Sequence, residues 1–299
     1  MKLSEFTRMV VDRCTQTQAE LFACMDWSKT NEEGYTHGHK DNGASVLAVA
    51  HTDYVVYDKP RVTGQRVHAG QLDDRLGCAI IMDLLPRLGI PVDVLLTDAE
   101  EIGQSTAADF SPEKTYNWIV EFDRRGTSVV SYEYQDDTLD SLLESVGFAT
   151  DWGSFSDICR LDHLGVKGFN VGVDYHGEHT SNCYADLLNT WEHVCKFVKF
   201  YRKFSDIKLN HSGSTTRSRY GRYGGYSGGY SGGGGWQDDD DFVYRNAVSS
   251  FSHSFQDDTT TTFRCVCCGL DTDSDEACDP PNQDICQECW NSFQQIDED

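Results

Sequence analysis

The sequence predicts an α/β domain with a mostly parallel central sheet flanked by helices, followed by a linker and a small cysteine-rich module. Three observations predict it. Short, largely apolar runs at 45–50 and 92–97 have the pattern of strands buried on both faces. Longer segments with apolar residues at helical spacing alternate with such runs, as in layered α/β folds. The composition then changes after Phe204, where glycine and later acidic residues take over.

Each element has its own reason. Leu3, Phe6, Met9, Val10 and Cys14 recur at helical spacing, so residues 1–24 are expected to be an amphipathic helix. Residues 45–50 form the first buried strand. Residues 74–88 read as a helix that stops near Gly89, with Pro91 beyond it. Strands are expected at 92–97, 118–122, 129–134 and 167–173, and helices at 139–146 and 191–204. Sites in such sheets gather beyond the carboxyl ends of the strands.

The domain is placed at 1–205. Nine of the fifteen residues from 221 to 235 are glycine, which cannot bury enough surface to offset the entropy of ordering them. A disordered Gly/Tyr/Ser-rich and acidic linker is therefore expected over 206–262, and a compact module over 263–299. The whole chain carries a formal charge of −24, which argues against duplex nucleic acid as a partner, because phosphate binding needs a basic face. No run approaches the ~20 apolar residues of a membrane span. The first residues lack the apolar core of a signal peptide, so a cytoplasmic protein is expected.

Four segments at or near expected strand ends carry chemistry: His51-Thr52-Asp53, Leu72-Asp73-Asp74-Arg75-Leu76-Gly77, Asp98-Ala99-Glu100-Glu101-Ile102-Gly103 and Glu121-Phe122-Asp123. A fifth lies at Tyr175-His176-Gly177-Glu178-His179-Thr180. Residues two apart on a strand share a side, so His51 can bind a metal while Asp53 orients it from behind. A carboxylate such as Asp73 has two oxygens and can bridge two cations. Two adjacent glutamates can divide the work, one binding metal and the other accepting a proton from bound water.

In this order the segments resemble the co-catalytic zinc exopeptidases. That family includes leucyl-type and tetrahedral aminopeptidases, peptidase T, and related carboxypeptidases and deacylases. The resemblance covers roughly residues 45–200 and implies a zinc exopeptidase-like fold. It also implies that His51 and Asp123 bind one zinc, with Asp53 supporting His51. Asp73 would bridge to a second zinc, Glu101 would bind that second ion, and Glu100 would be the general base. The last ligand would be a histidine; His179, followed by Thr180, fits best and His176 competes. Position 183 is Cys where the family has Glu. The short spacing from Asp123 leaves no room for the usual inserted lid or dimerisation domain. The implied activity is peptide hydrolysis, foremost that of an aminopeptidase on small peptides. A deacylase or carboxypeptidase acting on N-acyl amino acids is the alternative. A third reading is an idle peptide-binding module that recruits a partner, which the intact Glu100 opposes.

Twelve cysteines divide into six scattered and six clustered between Cys265 and Cys289. Cys265 and Cys268, then Cys286 and Cys289, form two Cys-x-x-Cys knuckles with seventeen residues between them. That spacing suits a tetrahedral structural zinc in a zinc-ribbon-like module, where metal binding replaces a core. Three zinc ions are thus expected, two catalytic and one structural. The acidity of the module favours a protein partner.

Overall fold

The computed structural model describes residues 1–212, together with 262–265, 271–273, 286–287 and 291. These residues belong to a compact unit comprising Met1–Gly213 and Thr261–Asp299, while a second unit, Ser214–Thr260, lies outside the described residues. The expected linker therefore lies outside them from residue 213 to 261, as do Cys268 and Cys289.

Fourteen strands and six helices organise what is described. The strands are β1 (Trp27–Thr30), β2 (Thr36–Lys40), β3 (Val46–His51), β4 (Arg61–Thr63), β5 (Arg66–His68), β6 (Asp93–Thr97), β7 (Trp118–Arg124), β8 (Ser128–Val130), β9 (Ala149–Asp151), β10 (Gly168–Gly172), β11 (Tyr175–His176), β12 (Tyr184–Asp186), β13 (Thr262–Arg264) and β14 (Asp271–Asp273). The helices are α1 (Leu3–Thr15), α2 (Gln18–Phe22), α3 (Leu72–Ala79), α4 (Leu85–Arg87), α5 (Asp137–Glu144) and α6 (Leu187–Phe204).

The main sheet has eight strands in the order β1-β2-β6-β3-β7-β10-β8-β9. Its centre, β6-β3-β7-β10, is parallel throughout; β2 is antiparallel to β6 and β8 to β10, while at the edges β1 is antiparallel to β2 and β9 parallel to β8. All six residues of β3 and all five of β6 are buried, polar end residues included, as the centre of a sheet covered on both faces requires. Parallel pairing sets His51 beside Thr97 and Val49 beside Glu121, so the chains leaving β3, β6 and β7 emerge on one edge. A smaller antiparallel sheet, β11-β12-β5-β4, carries the segment around His176 and His179.

Helices cover the main sheet. The α1 face Leu3, Phe6, Val10 and Cys14 is buried, at the spacing that the sequence shows. Trp118 lies against Phe169 at 5.6 Å and meets the edges of Phe197 and Phe200 from α6. Burying side chains of this size contributes about 1.5–3 kcal/mol each, and Trp118→Ala would cost about 3–5 kcal/mol once the cavity is counted.

Several expectations need correction. The helix expected over 1–24 is two helices, because Thr17 accepts the Glu20 amide and starts α2 as a new N-cap. The strand expected at 129–134 ends at Val130; Tyr132 has φ +46° and opens a tight turn through Tyr134. The helix after Asp74 passes through a wider turn at Ile80–Leu84 before α4. Past residue 205 the chain goes on packing. The Leu209 N–H donates to Asn117 O at 2.9 Å, and the Lys167 N–H donates to Leu209 O at 2.8 Å. Among the described residues, no helix is long and apolar enough to cross a membrane.

Candidate active site

The five expected ligand positions come together at the carboxyl edge of the parallel strands. His51 ends β3 and is wholly buried, while Asp123 stands near the end of β7. Asp73 sits in the first turn of α3, and Glu101 in the loop leaving β6. His179 comes from the loop between β11 and β12, at φ +61°. Side chains held in the left-handed region cost about 1–3 kcal/mol and cluster at functional sites.

Asp73 lies between the two histidines. His51 Nε2 is 3.1 Å from Asp73 Oδ1, and His179 Nε2 is 3.3 Å from Asp73 Oδ2. Each histidine has a further carboxylate: Asp123 Oδ2 is 3.4 Å from His51 Nε2, and Glu101 Oε2 is 3.0 Å from His179 Nε2. Ligand atoms of His51, Asp73 and Glu101 all lie within 4.8 Å of one another. Glu101 Oε1 is buried without a hydrogen-bond partner, as is expected of a carboxylate oxygen whose partner is an ion. His176, the competing candidate, turns instead to Asp174 Oδ1 at 3.0 Å.

Supporting contacts fix these groups. His51 Nδ1 lies 3.4 Å from Asp53 Oδ1. The same carboxylate accepts the N–H groups of Glu100 at 3.3 Å and Glu101 at 3.1 Å, so one side chain holds two of the carrying segments together. The Tyr175 hydroxyl donates to Asp123 Oδ1 at 3.2 Å, leaving Oδ2 to face His51. Asn170 spans the Asp123 backbone, accepting its N–H at 2.9 Å and donating to its C=O at 3.0 Å. Gly77 is required by space: a Cβ there would meet Asp74 Oδ1 at 2.2 Å.

Crowded carboxylates set the electrostatics. Burial pushes Glu100 up to about 7, with Asp157, Asp73 and Glu101 adding to it. Burial and Asp73 push Glu101 to about 7 as well. Asp123 is held well above its ordinary range by burial and by Asp73. Burial alone would lower the His51 imidazole, but Asp123, Asp53 and Asp73 overcome it and hold it well above its usual value. The hydrogen bond to Asp73 raises His179 to about 9. Positive charge brought beside these carboxylates would favour their ionised forms.

Two groups around the site, Asp157 and Asn170, gave no signal in the sequence, and a third, Tyr175, lay in the fifth segment without a role of its own. Asp157 is fully buried and bonded to Thr97 and Ser105, and Tyr175 and Asn170 hold Asp123. Each lies in a short polar or mixed segment whose partner is distant in the chain. In the tail, Cys265 and Cys286 are buried, and the Cys286 N–H donates to Cys265 Sγ at 3.4 Å. β13 pairs antiparallel with β14.

No protein-family model matches the chain, and no curated protein matches it in sequence. Solved structures do. A tripeptidase from Staphylococcus aureus superposes with a TM-score of 0.53 at 10% identity, over 69% of this chain and 99% of that one. The aminopeptidase PepT from Bacillus cereus gives 0.49 at 11% identity, over 67% and 98% of the two chains. An aminopeptidase from the archaeon Desulfurococcus kamchatkensis gives 0.49 at 12% identity, over 65% and 94%. The tripeptidase match shows that the chain has that peptidase's fold, a mostly parallel α/β sheet flanked by helices.

Proposed function

We propose that this domain is a two-zinc exopeptidase, acting as an aminopeptidase on small peptides. One observation carries the reading: His51 and His179 face opposite oxygens of Asp73, and each has a second carboxylate beside it. Ligands of a tetrahedral zinc at ~2.0–2.1 Å lie about 3.3 Å apart. The four N···O distances, 3.0 to 3.4 Å, are compatible with that spacing: His51 and Asp123 would hold one ion, His179 and Glu101 the other, with Asp73 available to both. The donor set of two imidazoles and three carboxylates suits zinc, and the orphaned Glu101 oxygen fits an ion. When bound, the ions would polarise the scissile carbonyl and lower the pKa of a bound water.

The chain's own residues do the rest. Glu100, adjacent to Glu101 and raised by burial, receives the proton from water and passes it to the leaving amine. Asp53 fixes His51 and both glutamate amides, so the base and the ligand move as one unit. The carboxylates suit a substrate's free ammonium. Arg124, Arg125 and Arg160 are engaged by Asp151, Glu178 and Gly103 O, whereas the Arg75 guanidinium, two residues after Asp73, is buried without a hydrogen-bond partner. The preference for an aminopeptidase over a carboxypeptidase or a deacylase of N-acyl amino acids therefore rests on the carboxylates.

The test is a panel of di- and tripeptides with free amino termini, beside N-acyl amino acids, with and without a chelator. Hydrolysis of free-amino peptides, lost on chelation and restored by zinc, is the expected result. Chelator-insensitive turnover, or none, would overturn the reading.

For the tail, the reading is one structural zinc held by Cys265, Cys268, Cys286 and Cys289. An amide pointing at a cysteine sulfur, as Cys286 N–H does at Cys265, supports a thiolate there. Such a module would present a small acidic surface to a protein partner.

A further inference from the structure

The loop bearing Glu100 and Glu101 leaves β6 at Thr97 and ends at Ser105, which caps the turn Thr106–Asp109. A single carboxylate binds both ends. The Thr97 hydroxyl donates to Asp157 Oδ2 at 2.5 Å, and the Ser105 hydroxyl donates to Asp157 Oδ1. Asp157 is fully buried and opens the turn Asp157–Arg160. From the same turn, Arg160 donates to Gly103 O at 2.9 Å. Ser156, just before it, donates to the buried Glu121 on β7. Segment 156–160 thus braces the loop at Thr97, Gly103 and Ser105.

We propose that Asp157 is a positioning residue for Glu100 and Glu101: it closes residues 98–104 into a ring and thereby sets where both carboxylates stand. The proposal rests on the hydrolase reading only for the roles of the two glutamates. The two oxygens of a carboxylate are rigidly spaced, so hydroxyls bonded to one each are held close together. Inside the ring, the Gly103 N–H donates to Glu100 O at 2.7 Å and the Gln104 N–H to Ala99 O at 3.0 Å. Ala99, directly before Glu100, has φ +65°, a conformation its Cβ disfavours. Such a residue persists only where its surroundings over-determine it. Without Asp157 the base of the loop keeps the pair between Asp98 and Thr106, and Asp53 still accepts the Glu100 and Glu101 amides, but the outer clamp from Thr97 to Ser105 is gone. Ala99 is then freer to relax to negative φ and to turn Glu100 and Glu101 with it. Asn at 157 offers only one acceptor to two hydroxyl donors. The Ser105 oxygen already accepts the Ala107 N–H at 3.1 Å, so its own proton is committed outward.

The experiment uses the full chain with Asp157→Asn, alone and combined with Ala99→Gly. Hydrogen exchange at the Glu100 and Glu101 amides is followed in metal-free protein, and kcat, KM and zinc affinity by chelator competition in the loaded protein. Asp157→Asn should speed exchange by about tenfold, lower kcat about 10–100-fold and weaken one zinc by a similar factor, with KM within about twofold. Ala99→Gly should recover several-fold of the lost kcat and protection, because glycine adopts φ +65° without penalty. A purely structural role would lower thermal stability and gain nothing from Ala99→Gly. That outcome, or wild-type exchange and kcat in Asp157→Asn, overturns the proposal. If Asp157→Asn does not fold, Ser105→Ala and Thr97→Val each remove one arm and are read the same way. If the unmodified protein hydrolyses no peptide, the functional reading falls, while exchange at Glu100 and Glu101 still decides the positioning claim.

Discussion

His179 Nε2 stands 3.0 Å from Glu101 Oε2, joining the loop of the small sheet to the loop that leaves β6. His176, three residues earlier, is bound to Asp174. The two histidines should therefore respond differently to substitution. His179→Ala should reduce bound zinc in the domain from two ions to one and lower kcat by about 100-fold or more. His176→Ala should retain both ions and stay within about threefold of normal turnover, since His176 is exposed and the buried Asp174 keeps its hydrogen bond from Asn189. Metal analysis beside steady-state kinetics distinguishes them; loss of zinc in His176→Ala alone would exchange their roles.

Glu100→Gln keeps the shape of the side chain and removes the proton acceptor. Turnover should fall by about 100-fold or more, at the upper range of general-base effects, with zinc content unchanged. The base works only when ionised, so kcat/KM should decline as pH falls through the Glu100 pKa, which burial raises to about 7. Bound cations pull that limb lower. A full-rate Glu100→Gln enzyme would remove this residue from the mechanism.

His193 offers a test of stability away from the site. It lies buried on α6 beside Phe148, and burial, with Lys196 adding to it, lowers its pKa from 6.5 to about 4. The unfolded chain then binds the proton that the folded chain refuses. Stability is fully present above about 6.5 and is lost as pH falls towards 4. The loss amounts to about 3 kcal/mol at 1.36 kcal/mol per unit. Urea unfolding of wild type and His193→Gln, compared at pH 7.5, 6, 5 and 4, isolates it. Parallel pH profiles would show that His193 titrates normally.

In the tail, Cys286→Ser should remove one zinc per chain without changing peptide hydrolysis, because the other ligands proposed for catalysis lie before residue 180. Truncation should be placed after residue 212 and not at 205, since Leu209 closes backbone bonds to Asn117 and Lys167. A chain ending at 212 that stays folded but loses activity would assign the tail a part in catalysis.

What the sequence made legible was periodic or clustered. The buried runs β3, β6 and β7 were clear because each carries at least three consecutive apolar residues, and α6 because its apolar face recurs along an eighteen-residue helix. The segments around His51, Asp73 and Glu100 could be found because several chemistry-bearing side chains sit within a few positions. Strands β1, β4 and β9 were missed: they are short, mostly exposed edges without alternation. Asp157, Asn170 and the role of Tyr175 were missed for another reason. Each acts through a partner 47 or more residues away, and a lone polar residue in a short segment does not announce that distance.

The parallel centre of the sheet has a kinetic consequence. β3 pairs with β7 across a connection of more than sixty residues, and β7 with β10 across more than forty. Such pairings reward the chain only after long loops have closed, which makes folding slow. His51 and His179 can meet Asp73 only after both sheets exist. A nascent or partly folded chain therefore holds its carboxylates apart, and full hydrolytic competence should appear only in the last phase of refolding, together with the native fluorescence of Trp118.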